Sequence, residues 1–195
     1  CQRHAGVTDR KDAAMKRVIW ERLAASERTA ILARPAQQRT PELRSQVAEI
    51  IATVRSQGDS ALKRYTKQFD GCALDTLAVS TTEFDVAETV LPADLKQSIA
   101  AAIGRIEDFH RATALSLVRI ETAPGVVCER VQRPINRVGL YVPAGSAPLF
   151  STVMMLGVPA RLAACPVRVM CTPPRSDGRI DPVLLYTAQQ LGITK

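Results

Sequence analysis

Tyr141, Gly145 and Ser146 are the residues whose types and spacing point most directly to chemistry. They stand between an apolar run, Val138 to Val142, and an apolar stretch that begins after Pro148. The run reads as a buried strand, Pro143 to Pro148 as a tight loop, and the stretch after it as a helix. A strand that enters a small-residue loop at the mouth of a helix can hold an anion such as a phosphate. The first N–H groups of a helix have no partner within it, and the helix dipole favours negative charge there. Tyr141 lies near the carboxyl end of its strand, where open α/β sheets bind ligands, so its ring is placed to lie against a nucleotide. An ordinary buried or rim tyrosine fits the same position equally well. Turn chemistry alone also accounts for Gly145 and Ser146. The loop is neither a G-x-G-x-x-G fingerprint nor a P-loop, because it contains no Gly-Lys-Ser/Thr.

Other reactive side chains are sparse. The only histidines are His4 and His110. His110 closes a long helical pattern, where an imidazole suits the negative helix end. There is no H-E-x-x-H pattern and no Cys/His cluster, so these residues offer no metal site. The five cysteines, Cys1, Cys72, Cys128, Cys165 and Cys171, include no C-x-x-C pair and read as buried, inert thiols. Glu107 and Asp108 are adjacent on a helix and point apart, so they do not form an acid/base pair. Arg161 and Arg168 are expected to meet solvent or a neighbouring carboxylate.

The elements that position these residues fall into two textures. Up to residue 115 the chain is helical. Ser26 is the expected cap of a short helix that stops before Pro35. Thr40-Pro41-Glu42 supplies an N-cap, a first-turn proline and an acid, and Val47, Ile50, Ile51 and Val54 share one face up to Gly58. Asp59 is the expected cap of the next helix, in which Leu62, Tyr65 and Phe69 are spaced for burial. Thr81 or Thr82 opens a short helix, and Pro92 a longer one with Leu95, Ile99, Ile103, Ile106 and Phe109 in three- and four-residue steps. Leu117 to Thr122 and Val126 to Gln132 then form a hairpin around Ala123-Pro124-Gly125. From Arg137 the order is strand, loop, helix, a second strand at Pro166 to Thr172, and a helix at about Asp181 to Leu191. The fold class is therefore α/β. A helical N-terminal region and a β-hairpin lead into the first β-α-β-α units of a Rossmann-like, doubly wound domain. The divisions are residues 1–15 as an extension outside the fold, 16–115 as the helical region, and 116–195 as hairpin plus incomplete Rossmann-like domain.

Composition narrows the class. Hydrophobic residues make up 46% and charged residues 23%, as in a globular protein with its own core. No apolar run reaches the ~20 residues of a membrane span, and Cys1 to Trp20 has no apolar signal core. No membrane association and a cytoplasmic location are expected. The net charge is +7, and residues 1–39 carry nine Lys or Arg against four Asp or Glu. A basic tail can bind nucleic acid. Without interleaved aromatics or a recognition motif, a solvated terminus is the preferred reading and no nucleic-acid partner is expected.

The whole segment Val138 to Arg161 resembles histidinol dehydrogenase. So do Ala33-Arg-Pro35, Gln57-Gly-Asp-Ser-Ala-Leu62, Lys67-Gln-Phe-Asp70, Pro124-Gly-Val126, Arg133-Pro134 and Cys171-Thr-Pro-Pro174, in order along the chain. The likeness runs over about residues 16–195 and is to the N-terminal part of that family. It implies a zinc-dependent homodimer that oxidises L-histidinol to L-histidine, through the aldehyde, with two NAD. Tyr141 matches the family's tyrosine contact to NAD. The zinc ligands and the acid/base pair of the family are expected beyond Lys195, so no catalytic or metal-binding residue is assigned. On that expectation the 195 residues alone are catalytically silent. The competing reading is an inactive truncated product that acts at most as a binding or dimerising fragment.

Overall fold

The computed structural model describes residues 17–33, 41–143 and 147–193. Two compact units divide the chain, Cys1–Ala48 and Glu49–Lys195, and the division falls within a helix. In the first unit a 3-10 turn, Trp20–Arg22, precedes α1 (Ala25–Leu32). The Arg28 guanidinium lies 5.2 Å from the Trp20 ring centre and its Nε donates to the Trp20 carbonyl at 3.1 Å. The N-cap of α1 is Ala24, whose N–H donates to the Glu27 carboxylate at 2.8 Å; Ser26 lies inside the helix instead of capping it. The first-turn acid thus supplies the half of a capping box that does not need a polar N-cap side chain.

The divided helix is α2 (Pro41–Gln57), which ends in the second unit where the Gly58 N–H donates to the Val54 carbonyl at 2.8 Å. Gly58, with φ +57°, is then the N-cap of α3 (Asp59–Phe69), so Asp59 is the first helical residue and not its cap. The Thr40 cap expected for α2 lies outside the described residues. The α4 helix (Thr81–Val90) starts at Thr81, the first of the two threonines that the sequence offers. Ser80 caps it, accepting from the Glu83 N–H at 3.3 Å while Glu83 accepts from the Ser80 N–H at 2.9 Å. Pro92 is the N-cap of α5 (Ala93–Ala112), as its fixed φ and missing N–H favour.

Two small sheets follow. In β1 (Val118–Ala123) and β2 (Val126–Arg130) the antiparallel register pairs Ile120 with Cys128, and a bulge falls between Glu121 and Ala123. Pro124-Gly125 make the turn, and Gly125 takes φ +78°, which its missing side chain allows. Every residue of both strands is exposed. The chain then runs β3 (Arg137–Tyr141), α6 (Phe150–Leu162), β4 (Val167–Cys171) and α7 (Pro182–Gln190). β3 and β4 pair in parallel from Arg137↔Val167 to Tyr141↔Cys171, with α6 as their crossover. With one partner strand each, they are less buried than their apolar sequences suggest: of β3 only Leu140 is fully buried.

The core lies where α5, α6 and α7 meet this parallel pair. Ile99 and Ile103 come from α5, Val153, Met154 and Val158 from α6, and Val183 and Leu184 from α7. Residues 183–188 of α7 are all buried, and the Thr187 hydroxyl is satisfied by the Val183 carbonyl at 2.7 Å. Arg161 of α6 ion-pairs with Glu107 of α5 and donates to the Gln190 carbonyl at 3.0 Å, tying three helices together. The apolar faces of α2 and α3 are more open than their spacing implies: Val47, Ile51, Leu62 and Phe69 are all exposed. Among the described residues no helix is long and apolar enough to cross a membrane.

Candidate functional site

The parallel pair ends in step. Tyr141 and Cys171, the last residues of β3 and β4, are register partners, and the Val142 N–H extends the ladder to the Cys171 carbonyl at 2.9 Å. Pro143 on one strand and Pro173-Pro174 on the other then stop it, since proline has no N–H to continue. Beyond these carboxyl ends opens a cavity of about 630 Å³. Its lining includes Tyr141 and residues 170–174, and Ala73–Val79, the segment between α3 and α4. Leu185 and Ala188 of α7 also line it, with Ile180 and Ile193.

The Ala73–Val79 segment has two neighbours that bear on it. Cys72 is buried, and a Cβ added to Gly178 would sit 3.3 Å from its Sγ. Gly178 also takes φ +80°, so this position needs glycine for both backbone and space. Further along, the Lys63 ammonium donates to the Asp75 carbonyl.

Tyr141 keeps 62% of its surface exposed and lines this cavity, so its ring is available to a ligand. The Thr172 hydroxyl, also in the lining, is shielded and has no hydrogen-bond partner among the described residues. An orphaned hydroxyl at a cavity wall is suited to a ligand with hydroxyl or amide groups, such as a nucleoside. Cys171 lines the cavity too. The expectation of uniformly buried thiols is corrected: Cys72 and Cys165 are buried, whereas Cys128 and Cys171 are exposed, because a two-stranded ribbon and a strand end have no cover.

Other residues singled out by sequence lie elsewhere. Gly145 and Ser146 are outside the described residues. The α6 helix after them has Leu149 at its N-cap and no side-chain cap. His110 sits in the last turn of α5, its ring edge-on to Phe109 with centres 6.0 Å apart, and does not line the cavity. Arg168 donates to the Cys165 and Gly192 carbonyls. Sequence reasoning did not single out Thr172 or the Ala73–Val79 wall. The first carried a signal, a hydroxyl directly after an apolar strand; the second has no periodicity to read. Among the described residues no group of three or more His, Cys, Asp or Glu could hold a metal ion.

Comparison with known proteins adds family information. A family model described as histidinol dehydrogenase matches residues 32–195. Histidinol dehydrogenase of Xanthomonas axonopodis pv. citri (strain 306) is 51% identical over 181 residues, covering 93% of this chain and 42% of that protein. The protein of the same name from Photobacterium profundum is 45% identical over 181 residues, 93% of this chain and 40% of its own length. The crystal structure of histidinol dehydrogenase from Elizabethkingia anophelis matches with a TM-score of 0.81 and 41% identity, over 89% of this chain and 40% of that one. The chain spans about two-fifths of the length of the relatives it matches.

Proposed function

Because the chain belongs to the histidinol dehydrogenase family, we propose that it supplies part of the NAD site of an enzyme that oxidises L-histidinol to L-histidine. The observation that carries this reading is the cavity at the carboxyl ends of β3 and β4, with Tyr141 exposed on it and the Thr172 hydroxyl unpaired. Ligands of parallel α/β sheets bind at such ends. NAD, when bound, supplies the hydride acceptor for oxidation of the alcohol and then of the aldehyde. Tyr141 offers a flat face for a ring of the dinucleotide, and Thr172 a hydroxyl that can both donate and accept. The apolar part of the wall, Leu74, Leu77 and Met170, excludes water from the bound ring.

The zinc that the family implies finds no matching ligand set among the described residues. The family resemblance, not this absence, is the ground for expecting its ligands and the acid/base pair beyond Lys195, and no step is derived through the metal. The same proposal includes a homodimer, a cytoplasmic location, and the β3-α6-β4-α7 unit as the opening of a Rossmann-like domain after residue 115. Exposed apolar residues on β1 and β2, among them Ile120 and Val127, favour a partner surface. A dimerising fragment without activity rests on the same surface and is the second reading.

Tyr141→Ala tests the assignment. Base–aromatic stacking contributes about 1–3 kcal/mol, so in the complete enzyme NAD affinity should fall about fivefold or more, and more than L-histidinol affinity does. NAD affinity equal to that of the unsubstituted protein, measured by titration calorimetry, would remove Tyr141 from the site.

A further inference from the structure

The segment Ala73–Val79 belongs to no helix or strand, yet all of its residues line the cavity. Near its ends it rests on apolar contacts. Leu74 lies beside Gly178, and Val79 packs against the cluster of Phe84, Ala87 and Leu185. Its middle is held differently. Among the described residues, the one hydrogen bond it takes from another element is that of the Lys63 ammonium to the Asp75 carbonyl. Its other hydrogen bonds are local, from the Cys72 thiol to the Ala73 carbonyl at 3.7 Å and from the Ala78 N–H to the Thr76 hydroxyl at 3.3 Å. Lys63 is half-buried on α3, next to Leu62 and one turn from Thr66. Those two residues line the cavity, and Lys63 itself does not.

A segment without a ladder keeps its shape through such contacts, and a binding surface that must first be ordered by its ligand loses affinity to that ordering. An ammonium on a carbonyl makes a charge-assisted bond, stronger than one between neutral groups. We propose that Lys63 is a positioning residue for the nucleotide. Through the Asp75 carbonyl it holds the Ala73–Val79 lining in the shape that the ligand meets, without touching the ligand. The inference rests on reading the cavity as the nucleotide site. Without the ammonium the segment is attached by its apolar ends alone, and the nucleotide must order its middle on binding. Ordering of that kind corresponds to a loss of about threefold to tenfold in affinity. Substrate held by other parts of the enzyme is not touched by it.

The test is steady-state kinetics of the complete enzyme with Lys63→Met, which keeps an apolar stem without the donor, and with Lys63→Arg, which keeps a donor. In Lys63→Met the KM for NAD should rise about threefold to tenfold, with kcat and the KM for L-histidinol within about twofold of the parent. Lys63→Arg should return most of the loss. Limited chymotrypsin digestion reads the segment itself: cleavage after Leu74 or Leu77 should be faster in Lys63→Met and slowed by NAD. A lower melting temperature with an unmoved KM for NAD, or a rise of both KM values together, marks a general structural role and overturns the proposal. So does a Lys63→Arg enzyme no better than Lys63→Met. Tyr141→Ala separates this inference from the reading beneath it. A raised KM for NAD in Tyr141→Ala beside a parental one in Lys63→Met overturns the role of Lys63 and leaves the nucleotide site standing. A parental KM for NAD in both overturns the nucleotide reading, and the positioning role with it.

Discussion

Two glycines in helix interiors should respond to the same substitution with opposite signs. In α6, a Cβ on Gly157 would sit 2.7 Å from the Cδ1 of Leu191, 3.1 Å from the Cδ1 of Ile193 and 3.4 Å from the Cβ of Leu191. Leu191 and Ile193 are 0% and 1% exposed, so neither side chain has free space to move into. Alanine in place of glycine gains about 1 kcal/mol in a helix interior. Inserting a methyl into a packed core costs about 1–3 kcal/mol, and a contact as short as 2.7 Å belongs at the upper end. Gly157→Ala should therefore lose about 1–2 kcal/mol net. Gly104 in α5 has no described heavy atom within 4 Å of such a Cβ. Gly104→Ala should keep the gain, about 0.5–1 kcal/mol. Urea unfolding followed by far-UV circular dichroism, with the slopes compared as well as the midpoints, measures both. The expected order of stability is Gly104→Ala, parent, Gly157→Ala. A Gly157→Ala protein as stable as the Gly104→Ala one would refute the packing of α6 against the Leu191–Ile193 segment.

Helix caps and the core give further expectations in the same unfolding assay. Ser80→Ala should cost about 1 kcal/mol because it removes one side of the α4 capping box, and Ser80→Gly only a few tenths. Asp181→Ala should cost a similar ~1 kcal/mol, since its carboxylate accepts from the Val183 N–H at 3.0 Å; Asp181→Asn should restore most of it. Ile99→Ala empties a site 1% exposed between α5 and its neighbours and should cost about 3 kcal/mol, with little change in slope. A loss under about 1 kcal/mol would mean that α5 is not seated in that core.

The features legible in the sequence are those with the strongest physical signals. The apolar steps of α5 and the strand–helix–strand order after Arg137 are in the structure, because buried periodicity and proline boundaries leave few alternatives. Helix starts differ by one or two residues at α1 and α3, where Ala24 and Gly58 hold the cap position in place of Ser26 and Asp59, whereas α4 starts at Thr81 as read. Ser80, Thr81 and Thr82 all suit an N-cap, and only the reach of Glu83 back to Ser80 decides between them. Leu62 and Phe69 are less buried than their spacing implies, since helical spacing says which residues share a face but not whether anything covers it. Of the candidate site, Tyr141 is legible from its place at a strand end. The Ala73–Val79 lining is not, because Cys72 meets Gly178 across more than a hundred residues of chain and no local pattern encodes that approach.

The β1–β2 ribbon also bears on how unevenly the protein holds its hydrogen bonds over time. A two-stranded ribbon with no face covered is at best marginally stable by itself, and both of these strands are exposed throughout. Its ladder can therefore open without disturbing the α5–α6–α7 core, at a free energy far below that of global unfolding. In deuterium oxide, amides of Arg119 and Glu129 should exchange early, while those of Met154 and Leu185, within buried helical turns, should wait for the whole core to open. The ribbon and the core are thus separate kinetic units on one continuous chain, and a ligand or partner that covers the ribbon would be recorded as a slowing of its exchange alone.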